Sequence, residues 1–395
     1  MESFRITPVD LTTIVLNCQD CTSEKPENTL LTVIKIHLND TKSLLDDIYK
    51  LPNAANVMRS FDPFLTHKYS LAKKAKTFNV TNAWLKCYEL IYKYQLIPRN
   101  ADKFVYFDNA AFPGSFIIAT YHFVNTIVRI KDFKWYASSL LEETKDNADP
   151  LEDSYNLYSY YPTNWLMHKN NNGDTSSIDN MMDFQKQISE KTGPRSIDLY
   201  TCDLGTDVSE DYNSQEIKHY ILSMSQIVCG LMTLKPSGHM VVKLYTFFEN
   251  FTISYISLLT ALFEDVFISK PLTSKRTNSE VYVVCKFYKY PFLALSAEQK
   301  IYDLFIERIR TKDLSPMVLP KYINRQIDDL YCSAKCIFRV QMESLKQYIE
   351  IMKSPDSISL KEKIKSDNYE IRKLFNEINI LPTNPKLQLI MRKTY

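Results

Sequence analysis

The residues able to do chemistry gather where short β-rich runs end. Asp108-Asn109-Ala110-Ala111-Phe112-Pro113-Gly114 follows a run that begins at Lys103, Gly173-Asp174 follows a weaker run from Trp165, and Asp203-Leu204-Gly205 follows Ile197 to Cys202. Lys243 lies within the run His239 to Thr246, Glu280 immediately precedes the last run, Val281 to Phe287, and Lys86 comes from a helical stretch ahead of them all. Strand-end carboxylates flanking a small-residue turn suit a ligand with hydroxyls and a cationic or amine part. In an open α/β sheet such ligands bind outside the carboxyl ends of the strands, near the point where strand order reverses. The same charges could instead form a surface salt-bridge network, so the elements that position them decide what they mean.

Those elements are read from the spacing of apolar residues. Ser70 to Tyr94 is helical with a basic start, Lys103 to Phe107 a strand, Ser115 to Val128 a helix, and Lys134 to Ser138 a second strand. Trp165 to His168 is a weak third strand, and a helix from Ser176 to Glu190 leads to the strand Ile197 to Cys202. A helix from Ser214 to Leu234 is expected to stop at Pro236 and Gly238. The strand His239 to Thr246, the helix Phe251 to Leu262 and the strands Asp265 to Ser269 and Val281 to Phe287 complete the series. Such alternation predicts a mostly parallel sheet with helices on both faces. The last two strands are about 11 residues apart, too few for a helical crossover, and should pair antiparallel at the sheet edge. Ahead of this core, an alternating apolar stretch at Leu30 to Leu38 and an amphipathic helix at Thr41 to Lys50 suggest a small lobe. Behind it, Ala297 to Arg310, Lys321 to Ile349 and Leu360 to Ile378 read as helices. The expected division is an N-terminal lobe over 1–68, an α/β domain over 69–290 and a helical region over 291–395.

Composition narrows the chemistry. The chain of 395 residues holds six glycines, all between positions 114 and 238, where average usage would give about 28. Neither a G-x-G-x-x-G fingerprint nor a G-x-x-x-x-G-K-[ST] loop is present, which disfavours kinases, P-loop NTPases and ordinary Rossmann dehydrogenases. The formal charge, 48 minus 46 or +2, excludes neither nucleic acid nor a neutral ligand, because binding follows local patches. The most apolar stretch, Phe251 to Phe263, is too short to span a bilayer, and no membrane association is expected. Eight scattered cysteines suit a reducing compartment. Cys18 and Cys21 could supply half a zinc site but have no second pair nearby, so no metal is expected.

In five blocks the sequence resembles the FtsJ-like family of S-adenosylmethionine-dependent ribose 2'-O-methyltransferases: TNAWLKCYEL, FDNAAFPGSF, LYTCDLGTD, HMVVKLYTF and ISKPLTSKRTNSEVYVVCK. The phrases LEDSYNLY, NWLM and PLTSKRTNSE are similar to the family's representatives in asfarvirus-type large DNA viruses. The resemblance covers roughly 70 to 290 and implies a Rossmann-like class I methyltransferase sheet, an α/β fold of seven strands with the last pair antiparallel. The family's Lys-Asp-Lys-Glu tetrad would correspond to Lys86, Asp203, Lys243 and Glu280. A ribose hydroxyl is a poor nucleophile and must attack a sulfonium methyl in line. On this reading Lys243 accepts its proton, Lys86 and Glu280 orient the hydroxyl, and Asp203 fixes the Lys243 amine. Burial and a second ammonium lower an amine pKa whereas Asp203 raises it, so the net value is open at this stage.

The resemblance also implies S-adenosyl-L-methionine as cofactor. The turn Asp108, Ala110, Pro113, Gly114, with Ser115 and Phe116 opening the next helix, would pass under the methionine part, and helix-start amides would face its carboxylate. Asp174 is placed to bond the adenosine and Asp203 lies close by. Ala110 and Ser115 stand where the family turn usually has glycine, so Ala110 must avoid positive φ or bear its cost. The implied substrate is RNA, because the reaction needs a 2'-hydroxyl, with the first transcribed nucleotide of capped viral mRNA favoured over ribosomal RNA. A catalytically silent RNA-binding or scaffold subunit is the other class left open. Lys73, Lys74, Lys76, Lys270, Lys275 and Arg276 are candidate phosphate contacts. The helical C-terminal region is a candidate surface for capping or transcription proteins, and the viral resemblance implies host cytoplasm and the virion as locations.

Overall fold

The computed structural model describes residues 2–9, 29–77, 79–141, 152–167, 173–205, 213–289 and 295–383. Cys18, Cys21 and His168 lie outside them. Seven strands form one sheet: β1 (Glu2–Ile6), β2 (Lys103–Asn109), β3 (Asp132–Ser138), β4 (Ile197–Cys202), β5 (Leu234–Leu244), β6 (Phe263–Lys270) and β7 (Val281–Tyr288), in the order β1-β6-β7-β5-β4-β2-β3. The pairs β2·β3, β2·β4 and β4·β5 are parallel; β5·β7, β6·β7 and β1·β6 are antiparallel. Strand order reverses between β2 and β4, which puts the ligand crevice at their carboxyl ends.

The expected seven strands are present with one exchange. Trp165 makes a single parallel bridge to Ala137, and the 3-10 turn Pro162–Asn164 directly before it leaves no length for a strand. The seventh strand is β1, whose Glu2–Ile6 pairs with Lys270–Val266. The β6·β7 pair is therefore antiparallel as expected but covered at its outer edge. Strand β5 also begins earlier than expected, at Leu234, and runs through Pro236 and Gly238. The helix before it, Tyr220–Thr233, stops without them.

Buried strands alternate their side chains between two helical layers. On β2, Val105 and Phe107 enter one core cluster with the helices Ile178–Thr192, Tyr220–Thr233 and Asn250–Leu262, while Phe104 and Tyr106 enter the other with Asn82–Tyr94 and Ser115–Phe123. Val241, Tyr282 and Val284 belong to that second cluster, as does Leu199. The period of two then assigns Asp108, Thr201, Asp203, Lys243 and Glu280 to this same face. Lys243 stands opposite Tyr282, and Asp108 opposite Thr201, in the strand registers.

The single helix expected over Ser70 to Tyr94 is two, Lys68–Ala75 and Asn82–Tyr94. Thr81 is the reason: its side chain accepts from Trp84 N at 3.1 Å, an N-cap worth about 1 kcal/mol. Trp84, Tyr88 and Ile91 bury one stripe of the second helix, with Trp84 and Tyr88 against His122 and Phe123 of the helix Ser115–Phe123, which leaves Lys86 and Glu89, three apart, on another flank. The apolar stretch from Leu30 is also helical, Thr29–Ser43. Its buried Leu31 and Leu38, with Leu45 beyond its end, repeat every seven residues. The helix packs on the long helix Asn324–Lys353. A third core cluster joins Leu45, Ile48 and Phe61 to Leu345, Tyr348 and Ile364, so the two ends of the chain close over one another.

Candidate active site

The four tetrad residues meet. Lys86 Nζ is 2.7 Å from Glu280 Oε1 and Lys243 Nζ is 3.1 Å from Asp203 Oδ1. The Lys243 amine also donates to the Asp203 carbonyl at 2.9 Å, and Tyr282 Oη donates to Asp203 Oδ1 at 2.8 Å. Asp203 is thus held by Lys243 of the adjoining strand β5 and by Tyr282 of β7 beyond it. Gly205 lets the chain pass close by: a Cβ there would lie 3.0 Å from Lys243 Nζ and 2.6 Å from Tyr245 Oη.

The electrostatics are those of a packed charge cluster. Burial alone would lower the Lys243 amine, but Asp203, Tyr245 and Glu280 together outweigh it and hold it above the ordinary lysine range. Burial would raise Glu280, yet Lys86, then Lys270 and Lys243, pull its carboxyl well below the usual carboxylate range. Lys270 is drawn down to about 7 by burial, with Glu280 opposing and Lys86 adding to the depression.

Glu280 sits at the end of a loop that is clamped from both sides. Lys270 Nζ donates to Asn278 O at 2.8 Å, Asn278 Oδ1 at 2.6 Å and Glu280 O at 2.7 Å. Ser274 Oγ donates to Glu280 Oε1 at 2.6 Å. From the helix of Lys86, the buried Glu89 carboxylate accepts from Leu272 N, Thr273 N and Thr273 Oγ1. From the C-terminal helix, Gln341 Nε2 donates to Thr277 O and Ser279 Oγ. Lys270, expected on phosphate, is therefore an internal strut, and Arg276 faces Asp367 at 3.5 Å. Lys73, Lys74 and Lys76 are exposed, and Lys275 is half-buried.

At the cofactor turn Asp108 is buried. Thr201 Oγ1 donates to its Oδ1 at 2.6 Å, while Oδ2 has no hydrogen-bond partner among the described residues. Burial, with Asp203 adding, pushes the carboxyl well above its ordinary value. A cationic donor is what such an oxygen lacks, and the ammonium of an S-adenosylmethionine methionine moiety is one; the residues fit the group. Ala110 does not avoid positive φ: it adopts +55°, a cost of roughly 1–2 kcal/mol for a residue with a Cβ. The turn keeps its left-handed geometry without glycine because Asn109 braces it. Asn109 Oδ1 accepts from Ala110 N at 2.9 Å and Ser138 Oγ at 2.8 Å, and its Nδ2 donates to Tyr200 Oη at 2.8 Å.

The other turn residues act differently from a simple lining. Ala111 N donates to Ser138 O and Phe112 N to Ser139 Oγ, so these amides serve the turn itself. Pro113 follows them, and Gly114 caps the helix Ser115–Phe123 at φ +111°. Ser115 Oγ accepts from Thr81 and meets Tyr155 Oη at 3.2 Å, and Phe116 is buried in the core. Their side chains are thus structural, and what they offer a ligand is the helix-start amides. Asp174 accepts from Ser176 N at 2.8 Å and Ser176 Oγ at 2.7 Å, which closes its own turn. Gly173 must be glycine, because a Cβ would fall 1.8 Å from Ser139 O; this contact seats the Asp174 turn against the end of β3. Sequence reasoning passed over Glu89, Ser274 and Tyr282, and it gave Asn109, though in the turn it singled out, no role of its own. Of these, Tyr282 alone had a signal, its alternation with Glu280 on one strand face.

The sequence matches the FtsJ-like methyltransferase family over residues 79–288. A protein of African swine fever virus named a probable methyltransferase is 34% identical over 333 residues, 80% of this chain and 73% of that protein. The Drosophila melanogaster cap-specific mRNA (nucleoside-2'-O-)-methyltransferase 2 is 29% identical over 310 residues, 74% of this chain and 41% of that protein. The Danio rerio protein of that name is 31% identical over 235 residues, 58% of this chain and 30% of that protein. This chain spans less than half the length of the latter two. The family stretch contains all four tetrad residues and the cofactor turn, and the chain belongs to the FtsJ-like methyltransferase family, with S-adenosylmethionine as its methyl donor.

Proposed function

We propose that the protein methylates the ribose 2'-hydroxyl of RNA, at the first transcribed nucleotide of capped mRNA. The observation that carries this reading is the convergence of two Lys–carboxylate pairs, Lys243–Asp203 and Lys86–Glu280, each with one buried and one partly buried member, at the carboxyl ends of β4 and β5. The cap-specific 2'-O-methyltransferases among the relatives support the choice of capped mRNA. Bound S-adenosylmethionine supplies an electrophilic methyl on a sulfonium.

Lys243 is the group that accepts the hydroxyl proton, with Asp203 fixing its amine and Lys86–Glu280 orienting the ribose. Asp203, Tyr245 and Glu280 hold Lys243 as an ammonium. Positive charge entering the cleft opposes the pull of Asp203 and Glu280, because like charge lowers an amine pKa, and this frees the amine to act as base. Asp108 and the helix-start amides of Ser115 and Phe116 bind the methionine moiety, and Asp174 lies on the adenosine side. The test is transfer of labelled methyl to capped and uncapped RNA, followed by nuclease mapping. Label on the 2'-oxygen of the first nucleotide is the expected result; label on a base, or none, would overturn the reading.

A further inference from the structure

Tyr245 belongs to two sites. Its ring centroid is 5.5 Å from Lys243 Nζ, and the same residue lines a separate pocket of about 300 Å³. The opposing walls include Tyr49 and Lys42 from the N-terminal segment, Lys275 and Asn278 from the loop that ends in Glu280, and Leu345 from the long C-terminal helix. Asp108 and the cofactor turn do not line it, so the pocket is distinct from the methionine side of the cleft.

Three observations bear on what fits it. The pocket shares a wall residue with the catalytic lysine and a loop with the catalytic carboxylate, so its occupant lies one group away from the ribose. Its size is at the small end for ligand sites, and it offers aromatic rings, an amide and lysines. Aromatic faces stack bases without regard to sequence, amides meet base edges, and lysines meet phosphate. Finally, Lys42, Tyr49 and Leu345 lie outside the family stretch 79–288. The cluster that joins Leu45 and Ile48 to Leu345 and Tyr348 holds these walls together before any ligand arrives.

We propose that this pocket receives the base of the RNA nucleotide next to the one whose ribose is presented to Lys243. The base lies against the Tyr49 and Tyr245 rings of the pocket wall, which pack on Tyr348 and His219 respectively, and Lys275 takes the adjoining phosphate. The inference rests on the RNA reading above and gives the two ends of the chain a role in substrate selection.

The test uses the full chain and a short 5'-capped RNA carrying a 3' fluorophore. Its Kd is measured by anisotropy and its KM by methyl transfer, for wild type, Tyr49→Ala, Tyr49→Phe and Lys275→Glu. Tyr49 is 44% exposed, so truncation leaves the core in place, and S-adenosylmethionine affinity reports that the fold is intact. Tyr49→Ala and Lys275→Glu should each weaken RNA binding about tenfold, with KM rising in parallel, and Tyr49→Phe should restore it. Unchanged Kd and KM in both variants, with wild type methylating the ribose, would overturn the pocket and leave the activity standing. RNA binding that falls in the variants while wild type methylates nothing would support the pocket and overturn the activity. No RNA binding by wild type would overturn both.

Discussion

The two halves of the cleft are built on different principles. At the tetrad, charged side chains converge from separate elements, and strand register aims them: Lys243 stands opposite Tyr282, and Asp203 follows the end of β4 on the same face. At the cofactor turn, by contrast, backbone shape does the positioning and side chains brace it. Asn109 ties Ala110 N, Ser138 and Tyr200 together, and Ser115 and Phe116 face inward. A family motif is therefore informative at the first half by residue identity, and at the second half by backbone conformation. At the two positions without glycine, Ala110 takes a left-handed conformation and Ser115 opens the helix.

This contrast predicts separable phenotypes. Tetrad substitutions should lower the rate at saturating cofactor, whereas turn substitutions should act on stability and cofactor affinity. Around the base itself, the largest effect is expected from Glu280→Gln, which removes the charge that Lys86, Lys270 and Lys243 surround. A loss in kcat of about a hundredfold, with S-adenosylmethionine binding retained in calorimetry, is the expected outcome; a Kd that rises in step with the rate loss would erase the distinction. Asn109→Ala should destabilise the protein by roughly 2 kcal/mol, since it leaves buried donors without partners, and should weaken cofactor binding while sparing the rate at saturation. Thermal unfolding and titration together check this.

Tyr282→Phe sharpens the electrostatic half. Without the phenol, the Asp203 carboxylate pulls harder on Lys243 and raises its pKa further. The rising limb of the pH–rate profile should therefore move to higher pH, by up to about one unit; a shift to lower pH would contradict the assigned coupling. Ala110→Gly is the mildest. Relief of the positive φ and the added freedom of the unfolded chain nearly cancel, so stability should change by no more than about 1 kcal/mol. Ala110→Val should be clearly worse, because a β-branched residue at positive φ is strained.

Much of this was open to a reader of the chain. The tetrad is named by the family resemblance on residues at or near strand ends, and alternation along β5 and β7 puts Lys243 and Glu280 on one face. The helical tail was also readable, with Asn324–Lys353 and Ile358–Phe375 close to the expected spans. What stayed hidden depends on distant partners. β1 is five residues whose strand neighbour lies some 260 positions away, beyond any local pattern. Lys270 looks like a surface lysine until Asn278 and Glu280 close around it. Asn109 looks like a turn residue until Ser138 and Tyr200 arrive from other strands.

The central claim is that Lys243 accepts the proton from a ribose 2'-hydroxyl. Single-turnover methyl transfer to capped RNA by Lys243→Met, at saturating S-adenosylmethionine and with the product mapped to the nucleotide, tests it most directly. The account predicts a rate lower by about a hundredfold or more, with cofactor and RNA affinity within a few-fold of wild type. A variant that methylates the same 2'-oxygen at the wild-type rate would contradict it.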